Sequence, residues 1–274
     1  MKTAEQPAAL RTNSLARDFR GARTIWRREL IKFFRERARV VTSFVQPLLY
    51  LLVFGTGLGA AVRQGAVGGA DYRVFLLPGV VVMTCLFTSM FAAVSITWDR
   101  EFGFLKEILV APLGRAAVIA GKVAGGATTA TMQGLAILVL APLVGLRLNP
   151  LRVIAVAPIL LLFALAVNSL GIAIAARIST MQGFMVIMNF ITLPLFFLSG
   201  ALFPLNTAPV WLRTLSYADP AAYAVDAIRR VLLGFPAAMR FGGSPVPIVW
   251  ELAALAVFGA IMFAVATRGF DRQP

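Results

Sequence analysis

Asp99-Arg100-Glu101-Phe102-Gly103-Phe104-Leu105-Lys106-Glu107-Ile108-Leu109-Val110-Ala111-Pro112 is a short charged segment between two uncharged apolar stretches, 74–98 and 123–146. Each stretch exceeds the roughly 20 helical residues that cross a bilayer's hydrocarbon core. Apolar, charged, apolar at these lengths reads as two membrane helices joined by a compact polar segment. That segment is too ordered for a plain connector and too small for a domain. It is where an outside machine can grip a chain that is otherwise nearly all membrane.

The same pattern continues outward. The chain is 59% hydrophobic and 14% charged, with a mean hydropathy of +0.83. Further uncharged runs occupy 40–62, 153–176, 178–212 and 252–267. Long uncharged runs identify an all-α, polytopic membrane protein, and the alternation of an outer-membrane barrel is absent. As one helix, 178–212 would reach about 52 Å, well beyond one bilayer. Pro194, Gly200, Pro204 and Pro209 interrupt it, so it reads as one span followed by apolar structure dipping into the outer face. Six spans are expected, about 40–62, 75–98, 120–146, 153–176, 183–203 and 247–267. They form one transmembrane domain over 40–267, between a tail at 1–39 and a tail at 268–274.

Charge sets the orientation. Eleven of the 26 Lys and Arg precede the first span; with Arg100, Lys106, Arg115, Lys122, Arg177, Arg268 and Arg272, eighteen fall on one side. Eight fall on the other. Positive loops stay cytoplasmic, so both termini are expected there, in a bacterial cytoplasmic membrane. A net charge of +14 concentrated at one face fits topology and anionic lipid, and no nucleic-acid module accompanies it.

Before the first span, Phe19, Ala22, Trp26, Leu30 and Phe33 recur at three- and four-residue steps, with Arg27, Arg28 and other basic residues between them. This predicts an amphipathic helix in the headgroup region, as an anchor or a docking element. Residues 1–14 are read as a disordered tail without a cleavable apolar signal.

Enzyme chemistry finds little material. The chain has no His, which excludes histidine triads and His metal sites. The single Cys85 sits in an apolar span as packing. No phosphate-cradling Gly-x-x-x-x-Gly-Lys-Ser/Thr occurs. Gly55/Gly59 and Gly121/Gly125 have helix-approach spacing, read here as incidental. Thr128, Thr131, Asn168 and Asn189, with Thr129, Gln133, Ser169 and Thr192, put uncharged polar groups inside spans. Such groups usually bond between helices, and they are also the candidates for lining a passage.

The outer segment, about 204–246, has its own order. Asp219 caps a helix with Pro220 at its first position. Asp226 lies within helical reach of Arg229 and Arg230, Ala224, Ile228, Val231 and Leu232 form an apolar stripe, and Gly234 then Pro236 ends the helix. Trp211 and Tyr217 suit the lipid interface. A carboxylate within a span is usually paired, and Arg229, Arg230 or Arg240 is the expected partner of Glu251.

Three stretches resemble the integral-membrane permeases of the type 2 ABC exporter family, near the drug-resistance and lipo-oligosaccharide export branch. They are Gln46-Pro47-Leu48-Leu49-Tyr50-Leu51-Leu52-Val53-Phe54-Gly55; Phe75-Leu76-Leu77-Pro78-Gly79, leading to the Glu101-x-Gly103-x-Leu105…Leu109-Val110-x-Pro112 segment; and Pro194 through Phe197-Leu198-Ser199-Gly200-Ala201-Leu202-Phe203-Pro204 to Asp219-Pro220-x-x-Tyr223-x-x-Asp226-x-x-Arg229. Many members carry Thr at the position of Phe104 and Glu at that of Lys106, which blurs the subfamily.

The resemblance implies a homodimer of permeases served by two cytoplasmic ATP-binding subunits. The chain itself would bind no cofactor, with ATP and Mg held by the partner. Residues 100–111 would be the coupling helix. Phe102, Leu105 and Leu109 make its buriable stripe, Glu101, Lys106 and Glu107 its rim charges, Gly103 belongs to its motif, and Pro112 ends it. A push there would reach the second and third spans. Pro204, Asp219, Pro220, Tyr223, Asp226, Arg229 and Glu251 would form outer re-entrant helices or a gate. The cargo would be an amphiphile, either a hydrophobic drug or secondary metabolite or a lipid-linked glycan. An ion-gradient carrier would show inverted repeats or midplane acids. A membrane enzyme would have to use Asp226, Arg229 and Tyr223, which capping and ion pairing already explain.

Overall fold

Apolar helices pack around one helix, Tyr72–Glu101, that is apolar over most of its length and largely buried. The structure is a computed structural model describing residues 8–35, 37–57, 59, 71–101, 114–178, 180–241 and 243–271. Nine helices are described: α1 (Ala8–Arg35), α2 (Arg37–Gly57), α3 (Tyr72–Glu101), α4 (Arg115–Ile137), α5 (Pro150–Ala175), α6 (Met181–Leu198), α7 (Val210–Ser216), α8 (Pro220–Leu233) and α9 (Ile248–Asp271). A 3-10 turn, Leu138–Val144, extends α4, and a two-stranded hairpin, Arg240–Phe241 with Ser244–Pro245, precedes α9.

Among the described residues, five helices are long and apolar enough to cross a membrane: α3, α4 with its 3-10 extension, α5, α6 and α9. By position in the chain they fall on the second to sixth expected spans. The first expected span, 40–62, falls on α2, whose described apolar part is Phe44–Gly57. Residues 58 and 60–70 lie outside the described residues.

α3 is the hub, with 83% of its apolar window buried against 22% for α6 and 11% for α9. Leu76, Leu77, Met83, Leu86, Met90 and Ile96 of α3 meet Ile119 and Ile137 of α4, Phe163 of α5 and Phe184 and Phe196 of α6 in one core. Cys85 is buried among them, as the sequence implies. α9 instead turns Val249, Trp250, Val257 and Ile261 outward, and lipid solvates such a face without penalty.

The close approaches are made by glycine. A Cβ on Gly126 would lie 1.9 Å from Asn168 Nδ2, and one on Gly79 would lie 2.7 Å from the Ala201 backbone.

α1 differs from its expectation in extent and partner. The described helix runs Ala8–Arg35, so residues 8–14, expected within a disordered tail, are helical; residues 1–7 lie outside the described residues. Its partner is α4 rather than lipid alone. A Cβ on Gly121 would lie 2.6 Å from Ala22 O, and one on Gly125 2.6 Å from Glu29 Cβ. The spacing read as incidental is therefore the groove that seats α1. Burial turns toward Asp18, Ala22, Ile25, Trp26, Glu29 and Phe33, Leu30 is half-buried, Arg27 and Arg28 are exposed, and Phe19 stays 73% exposed. A Gly121→Ala/Gly125→Ala pair should push α1 off α4. Trypsin cleavage at the α1 arginines, in membranes at equal abundance, is expected to speed up at least tenfold, and an unchanged rate would refute the groove.

Candidate functional site

At the basic end of the bundle, three helices meet through charge. The Lys122 ammonium on α4 is buried and sits 2.5 Å from Asp99 Oδ2 and 3.3 Å from Ser95 Oγ, both on α3. From α1, Arg28 approaches Asp99 Oδ2 at 3.6 Å and Glu29 Oε1 lies 3.9 Å from Lys122. Among the described residues, two cations and two carboxylates thus balance around the buried Lys122, with Arg28 at the exposed rim; a buried ammonium is tolerable only when paired. Two flanking contacts extend this knot. Gly114 N–H donates to Asp18 Oδ1 at 3.0 Å, and Met181 N–H donates to Glu101 Oε2 at 2.9 Å. Between those flanks lie Phe102, Gly103, Leu105, Lys106, Glu107, Leu109 and Pro112, outside the described residues.

Three of the four passage candidates are engaged in hydrogen bonds within the bundle. Trp26 Nε1 donates to Thr128 Oγ1 at 3.1 Å, and Thr128 donates in turn to Ala124 O. Thr131 donates to Ala127 O, and Asn168 Nδ2 reaches Ser89 O at 3.3 Å. Asn189 alone is exposed, on α6. The first three are used for helix contacts and local backbone bonds, the ordinary fate of such groups.

At the opposite end, α8 has the caps its sequence announces. Asp219 Oδ1 accepts Ala221 N–H at 2.8 Å, Pro220 opens the helix, and Gly234 closes it at φ 71°. Burial pushes the Asp219 carboxyl well above its ordinary range, and the Ala221 hydrogen bond opposes that shift. Pro204 opens the 3-10 turn Leu205–Thr207, and Tyr223 Oη donates to Tyr217 O at 2.8 Å.

Asp226 departs from its expectation. Its carboxylate accepts Ala238 N–H on both oxygens, at 3.0 and 3.1 Å, and Met239 N–H at 3.1 Å. A carboxylate that ties down a returning loop holds no side-chain bridge to Arg229 or Arg230 among the described residues. Arg229 donates instead to Gly200 O at 3.0 Å and stacks 3.9 Å over the Phe75 ring. Burial lowers its guanidinium to about 10, with Asp226 opposing, so it remains charged at neutral pH. Of the three partners weighed for Glu251, the structure selects Arg230, at 3.0 Å, and Arg230 also donates to Val246 O. Asp226→Asn replaces one of the two acceptor oxygens with an NH2 donor that faces the Ala238 N–H. The variant is expected to lose about 1.5–3 kcal/mol, the worth of hydrogen bonds to a charged group, read as a lower melting temperature in detergent.

The sequence profile of the ABC-2 type transporter family matches residues 20–233, from within α1 to the end of α8. The chain belongs to the ABC-2 type transporter family. It is 29% identical to nodulation protein J of Rhizobium leguminosarum bv. trifolii over 252 residues, 91% of this chain and 92% of that protein. Nodulation protein J of Rhizobium meliloti strain 1021 is 28% identical with the same coverage. Inner membrane transport permease YadH of Escherichia coli K12 is 27% identical over 241 residues, 86% of this chain and 89% of that protein. This ABC-2 protein is therefore a multi-pass membrane transport permease.

Sequence reasoning missed the Lys122–Asp99 pair of this ABC-2 bundle. The signal was available: a lone lysine inside an expected span demands a partner, and Asp99 closes the neighbouring span.

Proposed function

We propose that this chain is the permease subunit of an ATP-driven exporter. Two copies would assemble with two cytoplasmic ATP-binding subunits and move an amphiphile out of the cytoplasm or the inner leaflet. The cargo is a hydrophobic drug or secondary metabolite, or a lipid-linked glycan. Both termini and the basic end face the cytoplasm, following the charge asymmetry. The chain binds no cofactor of its own; ATP and Mg belong to the partner.

The family match carries this reading, because it takes in the 102–113 stretch together with every helix from α1 to α8. Two features of the structure support it. The flanks of that stretch are fastened at the basic end, and α2 and α6 leave Leu49, Leu52, Val53, Val186, Phe190 and Phe197 exposed, apolar surface available to a second copy or to lipid. Tagged purification from native membranes tests it: a stoichiometric ATP-binding subunit and Mg-dependent ATPase are expected. A chain that purifies alone without ATPase in mild detergent would refute it in favour of a gradient-driven carrier.

A further inference from the structure

Covalently, the stretch between Glu101 and Gly114 connects only α3 and α4. Its flanks bond elsewhere. Glu101, the last residue of α3, accepts the N–H of Met181, the first residue of α6. Thr180 caps the same turn from within α6's own approach, accepting Gly183 N–H at 3.2 Å. α6 is the shortest of the five candidate spans and one of the least buried along its length, and Phe184 and Met188 seat its basic half in the core beside this bond. Its opposite end runs into Ser199–Ala201. There Gly200, at φ 69°, gives its carbonyl to Arg229 of α8, and Ala201 lies against Gly79 of α3.

We propose that the Glu101–Met181 hydrogen bond is a positioning contact that makes α6 move with the end of α3. A displacement entering between Glu101 and Gly114 then reaches the fifth apolar helix directly. Through Gly200 and Arg229 it continues to α8 at the far end of the bundle. Glu101 acts in this through Met181, as a cap on an orphan helix N–H. The proposal rests on the reading of the chain as an ATP-driven permease.

The test removes the donor without touching Glu101. Thr180 has φ −114° and ψ 142°, the conformation a residue before proline adopts, and proline suits a first helical position. Met181→Pro therefore deletes the N–H while keeping the helix, and Met181→Ala trims the side chain while keeping the N–H. Nitroxide labels go at Asn189→Cys on α6 and, as reference, at Met132→Cys on α4; both native positions are exposed, and buried Cys85 stays in place. Spectra of the complete complex are compared without nucleotide and trapped with ATP and vanadate.

The expected result is a trapped-state change at both positions in the parent and in Met181→Ala. In Met181→Pro the change at 189, normalised to that at 132, should fall at least fivefold. Glu101→Gln, which keeps an acceptor oxygen, should retain it, and Glu101→Ala, which has none, should lose it and decides if Met181→Pro fails to accumulate. An unchanged ratio in Met181→Pro, an equal loss in Met181→Ala, or a loss in Glu101→Gln would overturn the proposal while leaving the exporter reading intact. No nucleotide response at either position in the parent complex would overturn the exporter reading and this proposal with it.

Discussion

Leu105→Asp is expected to abolish co-purification of the ATP-binding subunit and its ATPase activity, with membrane abundance unchanged. Leu105 falls outside the described residues, so the expectation rests on the sequence stripe with Phe102 and Leu109 and on the family match. A carboxylate forced into an apolar contact must be desolvated without a partner, at a cost of several kcal/mol. Since each 1.4 kcal/mol is a factor of ten in affinity, a loss of roughly a hundredfold or more follows. Lys106→Ala, at the rim, should change affinity less than about fivefold, because exposed ion pairs contribute at most ~1 kcal/mol. Equal losses from the two substitutions would mean that the stripe is not the buried face. Normal ATPase in Leu105→Asp would end the coupling assignment.

Lys122→Met is expected to destabilise the bundle by about 3–5 kcal/mol, because removing one member of a buried pair strands the other charge. Among the described residues, Asp99 would keep only Arg28, at 3.6 Å with its side chain 45% exposed. The measurement is a melting curve of the purified protein in detergent. The double change Asp99→Leu/Lys122→Met replaces both charges with apolar volume and should recover most of the loss, because the two residues act as one unit. Arg28→Ala alone should cost under about 1 kcal/mol. If Lys122→Met melts as the parent does, the knot at the basic end is not structural.

Much of the architecture is legible because membrane helices announce themselves locally. A charge-free run of sufficient length reads as a long apolar helix wherever its neighbours lie, and α3, α4, α5, α6 and α9 are such helices. α8 is legible for the same reason: Asp219, Pro220 and Gly234 are caps, and a cap needs only its own helix. What fails is whatever depends on a distant partner. The stripe of α1 says that one face is covered, yet the same stripe serves lipid or protein, and only the packed bundle shows Gly121 and Gly125 doing the covering. Asp226 was paired with Arg229 and Arg230 by helical spacing, whereas its acceptors are filled by Ala238 and Met239 across a turn. Glu101 illustrates both cases. Its place beside the charged segment is plain in the sequence, but its bond to Met181, 80 residues away, is not.

The seat of α1 on α4 also sets an order of events during synthesis. Trp26 finds Thr128 only after 102 more residues have been made, about 5–20 s at ordinary rates of translation. Throughout that interval the newborn helix has its arginines and its apolar side but no groove to occupy. The membrane surface is the partner at hand, and the amphipathic pattern serves this waiting stage as much as the finished one. Asp99 waits only 23 residues for Lys122, roughly 1–5 s, with Arg28 already made. The ion pair thus closes as the second helix of the hairpin enters, and α1, made before both helices of that hairpin, can dock only when the second is in place.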